Sequence, residues 1–173
     1  WPKAPYKAET GTEPSTNFNE SKFLRWRLDR LNAFATDMRT ELKAIKPSLI
    51  VCFAPNKYPW CEDNLMQEWP SWIKNGDVDL LTVQCYVLKS YENDVNSSLK
   101  YVADNGGKNL LNPAMILKNG AKIMDEETLV KQLRHNVEVK TNGESQFWFD
   151  GLKEAHVQKV FKAFYPGKAE FPL

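Results

Sequence analysis

The sequence predicts an α/β fold in which parallel strands alternate with helices. Three observations predict it. Four short apolar segments, SLIVCFAP (48–55), VDLLTVQCY (78–86), LLNPAMILKNG (110–120) and GESQFWFDGL (143–152), are each followed by a stretch of helical character. Their starts lie roughly thirty residues apart, the length of a βαβ unit. The first is β-branched and apolar on both parities, as a strand covered on both faces of a parallel sheet should be.

The elements follow in order. Residues 1–19 are rich in Pro, Thr, Asn and Glu and read as a loop lead-in. A long helix comes next. Leu24, Leu28, Leu31, Ala35, Met38, Leu42 and Ile45 recur at steps of three and four and form one apolar stripe. Asn19 or Ser21 is placed to cap its start, and Pro47 fits just beyond its end. After the first strand, NKYPWCEDN (56–64) reads as loop. EWPSWIKNG (68–76) reads as a short helix with Pro70 in its first turn and Gly76 as its stop. The remaining helices are DVNSSLKYVADNGG (94–107), DEETLVKQLRHNV (125–137) and KEAHVQKVFKAFYP (153–166). The acids opening 125–137 complement the helix dipole. Pro113 suits the beginning of the third strand, where a missing N–H matters least.

A length of 173 residues predicts a single domain spanning 1–173. Two architectures accommodate four strands. One is a small doubly wound sheet. The other is half of a (β/α)8 barrel, since a whole one takes about 250 residues.

Composition removes several function classes. The net charge of +1, with 26% charged residues, argues against a nucleic-acid surface or a polybasic membrane patch. No stretch approaches the ~20 apolar residues of a membrane helix. WPKAPYKAETG lacks the apolar core of a signal peptide, an absence that says little in a chain beginning at Trp1. Neither GxGxxG nor GxxxxGK[ST] follows a strand, so no nucleotide cofactor is expected. Three cysteines without a CxxC pair give no zinc site and no disulfide framework. Cys52 and Cys85 lie in apolar runs and read as core residues, while Cys61 lies in the predicted loop. His135 and His156 fall on helices, and no HExxH or Ser-His-Asp arrangement gathers at strand ends.

In either architecture function collects at the C-terminal ends of the strands. The polar and aromatic residues there are Asn56, Lys57, Tyr58 and Trp60, then Gln84 and Tyr86, then Lys118 and Asn119, and finally Asp150. Aromatic faces stack on sugar rings and amides bond hydroxyls, so this rim suits a carbohydrate better than a phosphate. Each residue also has a plainer reading. Trp60 and Tyr58 can simply cover the end of the sheet. Asp150 can cap the helix that follows, with Gly151 relieving the turn. Gln84 is harder to explain away, because an amide inside LLTVQCY must find partners.

Several stretches together carry a family resemblance: RWRLDRLNAF (25–34), KPSLIVCFAPN (46–56), the W-x-x-W-I-K-N-G-D-V-D stretch (69–79), VQCY (83–86), NPAMILKNG (112–120) and FWFDGLKE (147–154). In order and spacing they resemble the C-terminal half of the glycosyl-hydrolase-like family 10 domain, a group of bacterial barrel proteins. The resemblance implies an α/β (β/α)8 TIM barrel, of which these are strands five to eight. It implies hydrolysis of a glycosidic bond in a bacterial polysaccharide or cell-wall glycan. It also implies a periplasmic or secreted location and a carbohydrate partner. The family's acidic stretch at the fourth strand would lie before Trp1, so the principal acid is expected there and the missing N-terminal half becomes a second partner. Where the family often has Ser-Pro, this chain has Ala54-Pro55. Gln84 and Tyr86 match the family's Gln-x-Tyr and are implied substrate contacts. Asn56, Trp60 and Asn119 are expected beside them from strand-end position alone. Asp150 is the one carboxylate directly after a strand. It is expected as a substrate contact or, secondarily, as a catalytic acid or base.

Two rival expectations remain. A non-catalytic carbohydrate-binding domain would use the same rim, and a small complete α/β domain would bind another ligand.

Overall fold

The computed structural model describes residues 3–168. The lead-in is not loop throughout, because Lys3–Thr10 forms a helix (α1). Packing decides this, as it does for most short helices. Tyr6 is buried edge-on against Phe23 and Trp26, at 5.0 and 5.3 Å between ring centroids. Glu9 accepts from Trp26 Nε1 at 2.9 Å and pairs with Arg30.

The long helix is α2, Ser21–Ile45. Its cap is Glu20 rather than Asn19 or Ser21. The Glu20 carboxylate accepts from Lys22 N at 3.1 Å and Phe23 N at 2.9 Å, orphan donors that a longer side chain reaches as well. The buried stripe is narrower than expected: Leu28 and Ala35 are buried together with Phe23 and Arg27, while Ile45 is exposed. Arg27 replaces apolar residues in the stripe by laying its guanidinium over Phe23, 4.9 Å from the ring centroid.

Next come β1 (Cys52–Phe53), α3 (Trp60–Leu65), α4 (Trp69–Asn75) and β2 (Leu80–Leu81). The expected loop at 56–64 therefore contains a helical turn. It forms around Cys61, which is fully buried and lies 3.1 Å from Gln67 O through its sulfur. α4 ends as expected at Gly76, whose φ of 75° closes the helix in the left-handed region. After α5 (Tyr91–Asp104) come β3 (Ala114–Ile116), β4 (Lys118–Asn119), β5 (Lys122–Ile123), α6 (Glu126–Glu138), β6 (Ser145–Phe147) and α7 (Ala155–Phe164). The third predicted strand thus splits. β4 and β5 form an antiparallel hairpin turning at Gly120, so Asn119 leaves the sheet. The fourth ends at Phe147, and Phe149–Lys153 winds into a 3-10 turn that takes Asp150 off the strand.

The parallel sheet has the order β1-β2-β3-β6. Cys52 pairs with Leu80 and Ala114 with Ser145, and bridges at Leu81–Leu111 and Gln84–Ala114 join the two halves. Side-chain alternation gives the sheet two unlike faces. One carries Leu81, Val83, Cys85, Leu111, Met115 and Leu117, all buried in a single core with residues of α4 to α7. The other carries Cys52, Ala54, Thr82, Gln84 and Phe147. Cys52, Ala54 and Phe147 are exposed. The expectation of a first strand covered on both faces is therefore corrected, and so is that of a buried Cys52. Val51 and Pro55 face the helices, and the even-numbered positions lie on the opposite face, exposed at Cys52 and Ala54, half-buried at Gln84 and buried at Leu80, Thr82 and Ala114. Cys85 is buried as expected, and burial pushes its thiol up to about 12.

Asp79 ties α2 to the sheet. It pairs with Arg39 at 2.9 Å and Lys43 at 2.8 Å, and accepts from Val51 N at 2.9 Å. No helix among the described residues is long and apolar enough to cross a membrane.

Candidate functional site

The expected site residues fall into two groups. Gln84 and Tyr86 lie on the sheet face opposite the helices, two residues apart just beyond the end of β2, where Gln84 still bridges to Ala114. Gln84 is held by the neighbouring strand segment: its Nε2 donates to Ala54 O at 2.9 Å and its backbone N to Pro55 O at 2.9 Å. The amide that had to find a partner inside LLTVQCY finds it across the sheet. Tyr86 is half-buried, and burial pushes its phenol above the usual range.

Tyr86 does not stand alone. Register places Gln84 beside Ala114 and Phe147 beside Ile116, so Tyr86, Ile116 and Phe147 form one row across three strands. The Tyr86 and Phe147 rings stack with centroids 5.1 Å apart and planes at 16°. Phe147 in turn meets Trp148 at 4.7 Å and 34°. Trp148 is 55% exposed and Phe147 37%. The row is an aromatic platform open to solvent at the C-terminal ends of the strands. Trp148 and Phe147 are the functional candidates that strand-end reasoning passed over. Their signal was the apolar run FWF breaking directly into Asp-Gly.

Beneath the platform the same face turns polar. Asn112 Nδ2 donates to Ser145 Oγ at 3.1 Å, and Cys52 Sγ lies 3.4 Å from Thr82 Oγ1. This face therefore has stacking surface at its rim, with the buried and mutually paired polar side chains of Thr82 and Asn112 below.

The other expected residues stand apart. Asn56 is committed to its own loop. Its Oδ1 accepts from Lys57 N at 2.8 Å, its O from Trp69 Nε1 at 3.1 Å, and its N donates to Gln67 Oε1 at 2.8 Å. Trp60 opens α3 and is exposed, with no ring contact to the Tyr86 row among the described residues. Asn119 is exposed on the hairpin. Asp150 lies two residues beyond Trp148, exposed and paired with Lys153 Nζ at 2.7 Å. The Lys153 ammonium holds its carboxyl below the usual range. It does not cap α7, whose start has no side-chain cap. As placed, it accepts hydrogen bonds rather than supplying a proton near neutral pH.

Gly151 has its own reason. A Cβ there would lie 2.5 Å from Leu117 Cβ, so only glycine lets the 3-10 turn press against the end of β3. The carboxylate and the glycine after FWF thus do different work. One faces solvent at the rim and the other seats the rim on the core. Among the described residues no group of three His, Cys, Asp or Glu is placed to hold a metal ion.

Residues 2–136 match the glycosyl hydrolase-like 10 family. The chain belongs to that family. Among solved structures it is similar to the glycoside hydrolase domain of PgaB (BpsB) from Bordetella bronchiseptica, with a TM-score of 0.67 and 13% identity. The match covers 95% of this chain and 51% of that one, so the chain spans about half that protein's length. No curated protein matches the sequence. At that identity the structural likeness shows a shared α/β fold. The family match shows a glycosyl hydrolase-like chain.

Proposed function

We propose that this chain forms half of the glycan-binding cleft of a (β/α)8 glycoside hydrolase acting on a bacterial polysaccharide or cell-wall glycan. The observation that carries the reading is the solvent-exposed row Tyr86–Phe147–Trp148 at the C-terminal ends of parallel strands, with Gln84 beside it. Aromatic rings supply flat, low-entropy contact area to the apolar face of a sugar ring. Gln84 keeps Oε1 for a hydroxyl donor while its Nε2 is engaged.

Three further observations support the barrel. The sheet has four parallel strands and ends at two edges, β1 and β6. The face opposite the helices is exposed at Cys52, Ala54 and Phe147, where a closed barrel would cover them with side chains. The chain also spans half of the similar hydrolase domain. On this reading the other half of the barrel brings the remaining strands and the principal catalytic carboxylates. Glycosidases flank the scissile bond with two carboxyl groups about 5 to 9.5 Å apart. Asp150, exposed and ion-paired, serves as a substrate contact. A bacterial polysaccharide of this kind lies outside the cytoplasm, and we place the protein's action there.

The test is turnover. The 173-residue chain is incubated with a panel of bacterial polysaccharides and peptidoglycan, and reducing ends are counted. The expected result is no release above buffer. Measurable hydrolysis that Asp150→Asn abolishes would overturn the division of labour.

A further inference from the structure

Behind the rim, between the start of α5 and α6, lies a cavity of about 80 Å3 lined by Leu88, Tyr91, Glu92, Asn93, Thr128 and Gln132, with Lys89 and Lys131 at its edge. Two independent features meet there. Gln132 is 3% exposed, and neither its Oε1 nor its Nε2 has a hydrogen-bond partner among the described residues. A wholly buried amide with both atoms unpaired is rare in a folded protein, because each orphan carries its full desolvation cost. The second feature is the start of α5, which has no side-chain cap. Ser90, in the cap position, donates its hydroxyl to Asp94 Oδ2 at 2.8 Å instead of accepting from the helix.

The chemistry of the lining selects the guest. An anion would satisfy Nε2 and the helix dipole, but it would face Oε1 and the Glu92 carboxylate. A cation would satisfy Oε1 but would oppose the dipole and Nε2. A neutral molecule that both donates and accepts satisfies both atoms of the amide. Glu92 and Lys131 pair at 3.0 Å, so the edge of the cavity carries no net charge from these two groups. The volume holds more than one water, since about 10–15 Å3 of probe volume suffices for one.

We infer that this cavity is a built site for ordered water, which bridges the Gln132 amide to the turn Leu88–Ser90 and the first residues of α5. That turn begins two residues after Tyr86, so the water site fixes the backbone on which one end of the aromatic platform rests. The site stands independently of what the platform binds.

The experiment uses the whole chain, labelled with 15N, and reads cross-relaxation between water and protein amides. Long-lived water contacts are expected at the Gln132 side-chain amide and at backbone amides within Leu88–Asn93. Absence of such contacts would overturn the assignment. Titration with inorganic phosphate is expected to leave these amides unmoved, and saturable shifts at Tyr91–Asn93 would make this an anion site instead. In Gln132→Leu, hydrogen exchange of the Leu88–Ser90 amides is expected to rise about tenfold, the effect of losing one bridging hydrogen bond. Amides of β3 and β6 are expected to stay unchanged. If Gln132→Leu exchanges like the parent at Leu88–Ser90, the water does not hold the turn. If that variant fails to fold, Gln132→Met carries the same test.

Discussion

At the scale of single residues, the rim depends on Gly151 more than on its charged neighbour. Leu117 Cβ leaves no space for a side chain at 151, and Leu117 is itself fully buried under the sheet. Gly151→Ala must push the 3-10 turn off β3 or displace Leu117. Overpacking of this kind costs about 1–3 kcal/mol. Urea denaturation should show the midpoint falling with an unchanged slope. Asp150→Asn, by contrast, removes an exposed, solvent-screened ion pair and should leave the urea midpoint unchanged. The sequence showed that both residues sit at a strand end. It did not show which was structural, because the close approach to Leu117 depends on a register between segments thirty residues apart. Gln84 was legible for a general reason, since an amide inside an apolar run announces a need for partners. Trp148 was not, because an aromatic at the end of an apolar run reads equally well as core.

At the scale of elements, helices were far more legible than strands. α2, α4, α6 and α7 announced themselves through periodicity, acids and glycine stops. The strands are two or three residues long, and one face of the sheet is exposed at Cys52, Ala54 and Phe147, so unbroken apolar runs overstated both their length and their burial. α1 and α3 were missed because local composition disfavours them and tertiary contacts of Tyr6 and Cys61 hold them. The joint between α2 and the sheet rests on Asp79. Partial burial pushes its carboxyl up, but hydrogen bonds from Arg39, Lys43 and Val51 N overcome this and hold it well below its ordinary 3.8. A carboxyl depressed on folding stabilises fully above its unfolded value and loses that contribution as pH falls through the folded one. Stability should therefore decline below about pH 4, where Asp79 of the unfolded chain takes up its proton while that of the folded chain is still ionised. Asp79→Asn should cost about 2 kcal/mol at pH 7, the worth of hydrogen bonds to a charged group. It should also flatten the acid limb of a stability–pH curve measured by thermal melts. An acid limb as steep in the variant as in the parent would place the pH dependence elsewhere.

At the scale of the whole molecule, one sheet face is sealed by helices and the other carries an exposed aromatic rim above the buried Thr82 and Asn112. The parallel strands and the position of the rim were legible from the thirty-residue rhythm, the strand order only from the family resemblance, and Gln84 and Tyr86 do lie side by side at the rim. Asn119, Trp60 and Asn56 were not placed well, because the hairpin, the helical turn at α3 and the loop around Gln67 each redirect the chain after its strand. What unites the molecule is the row Tyr86–Phe147–Trp148, and the central claim is that this row binds glycan. The direct measurement is an NMR titration of the intact chain with oligosaccharides from bacterial polysaccharides, repeated on Trp148→Ala. Trp148 is exposed, so its removal should leave the fold intact. Shifts centred on Gln84, Tyr86, Phe147 and Trp148 are expected, with affinity falling severalfold in the variant, since an aromatic contact is worth about 0.5–1.5 kcal/mol beyond its area burial. Shifts centred on another face, or an affinity indifferent to Trp148→Ala, would contradict it.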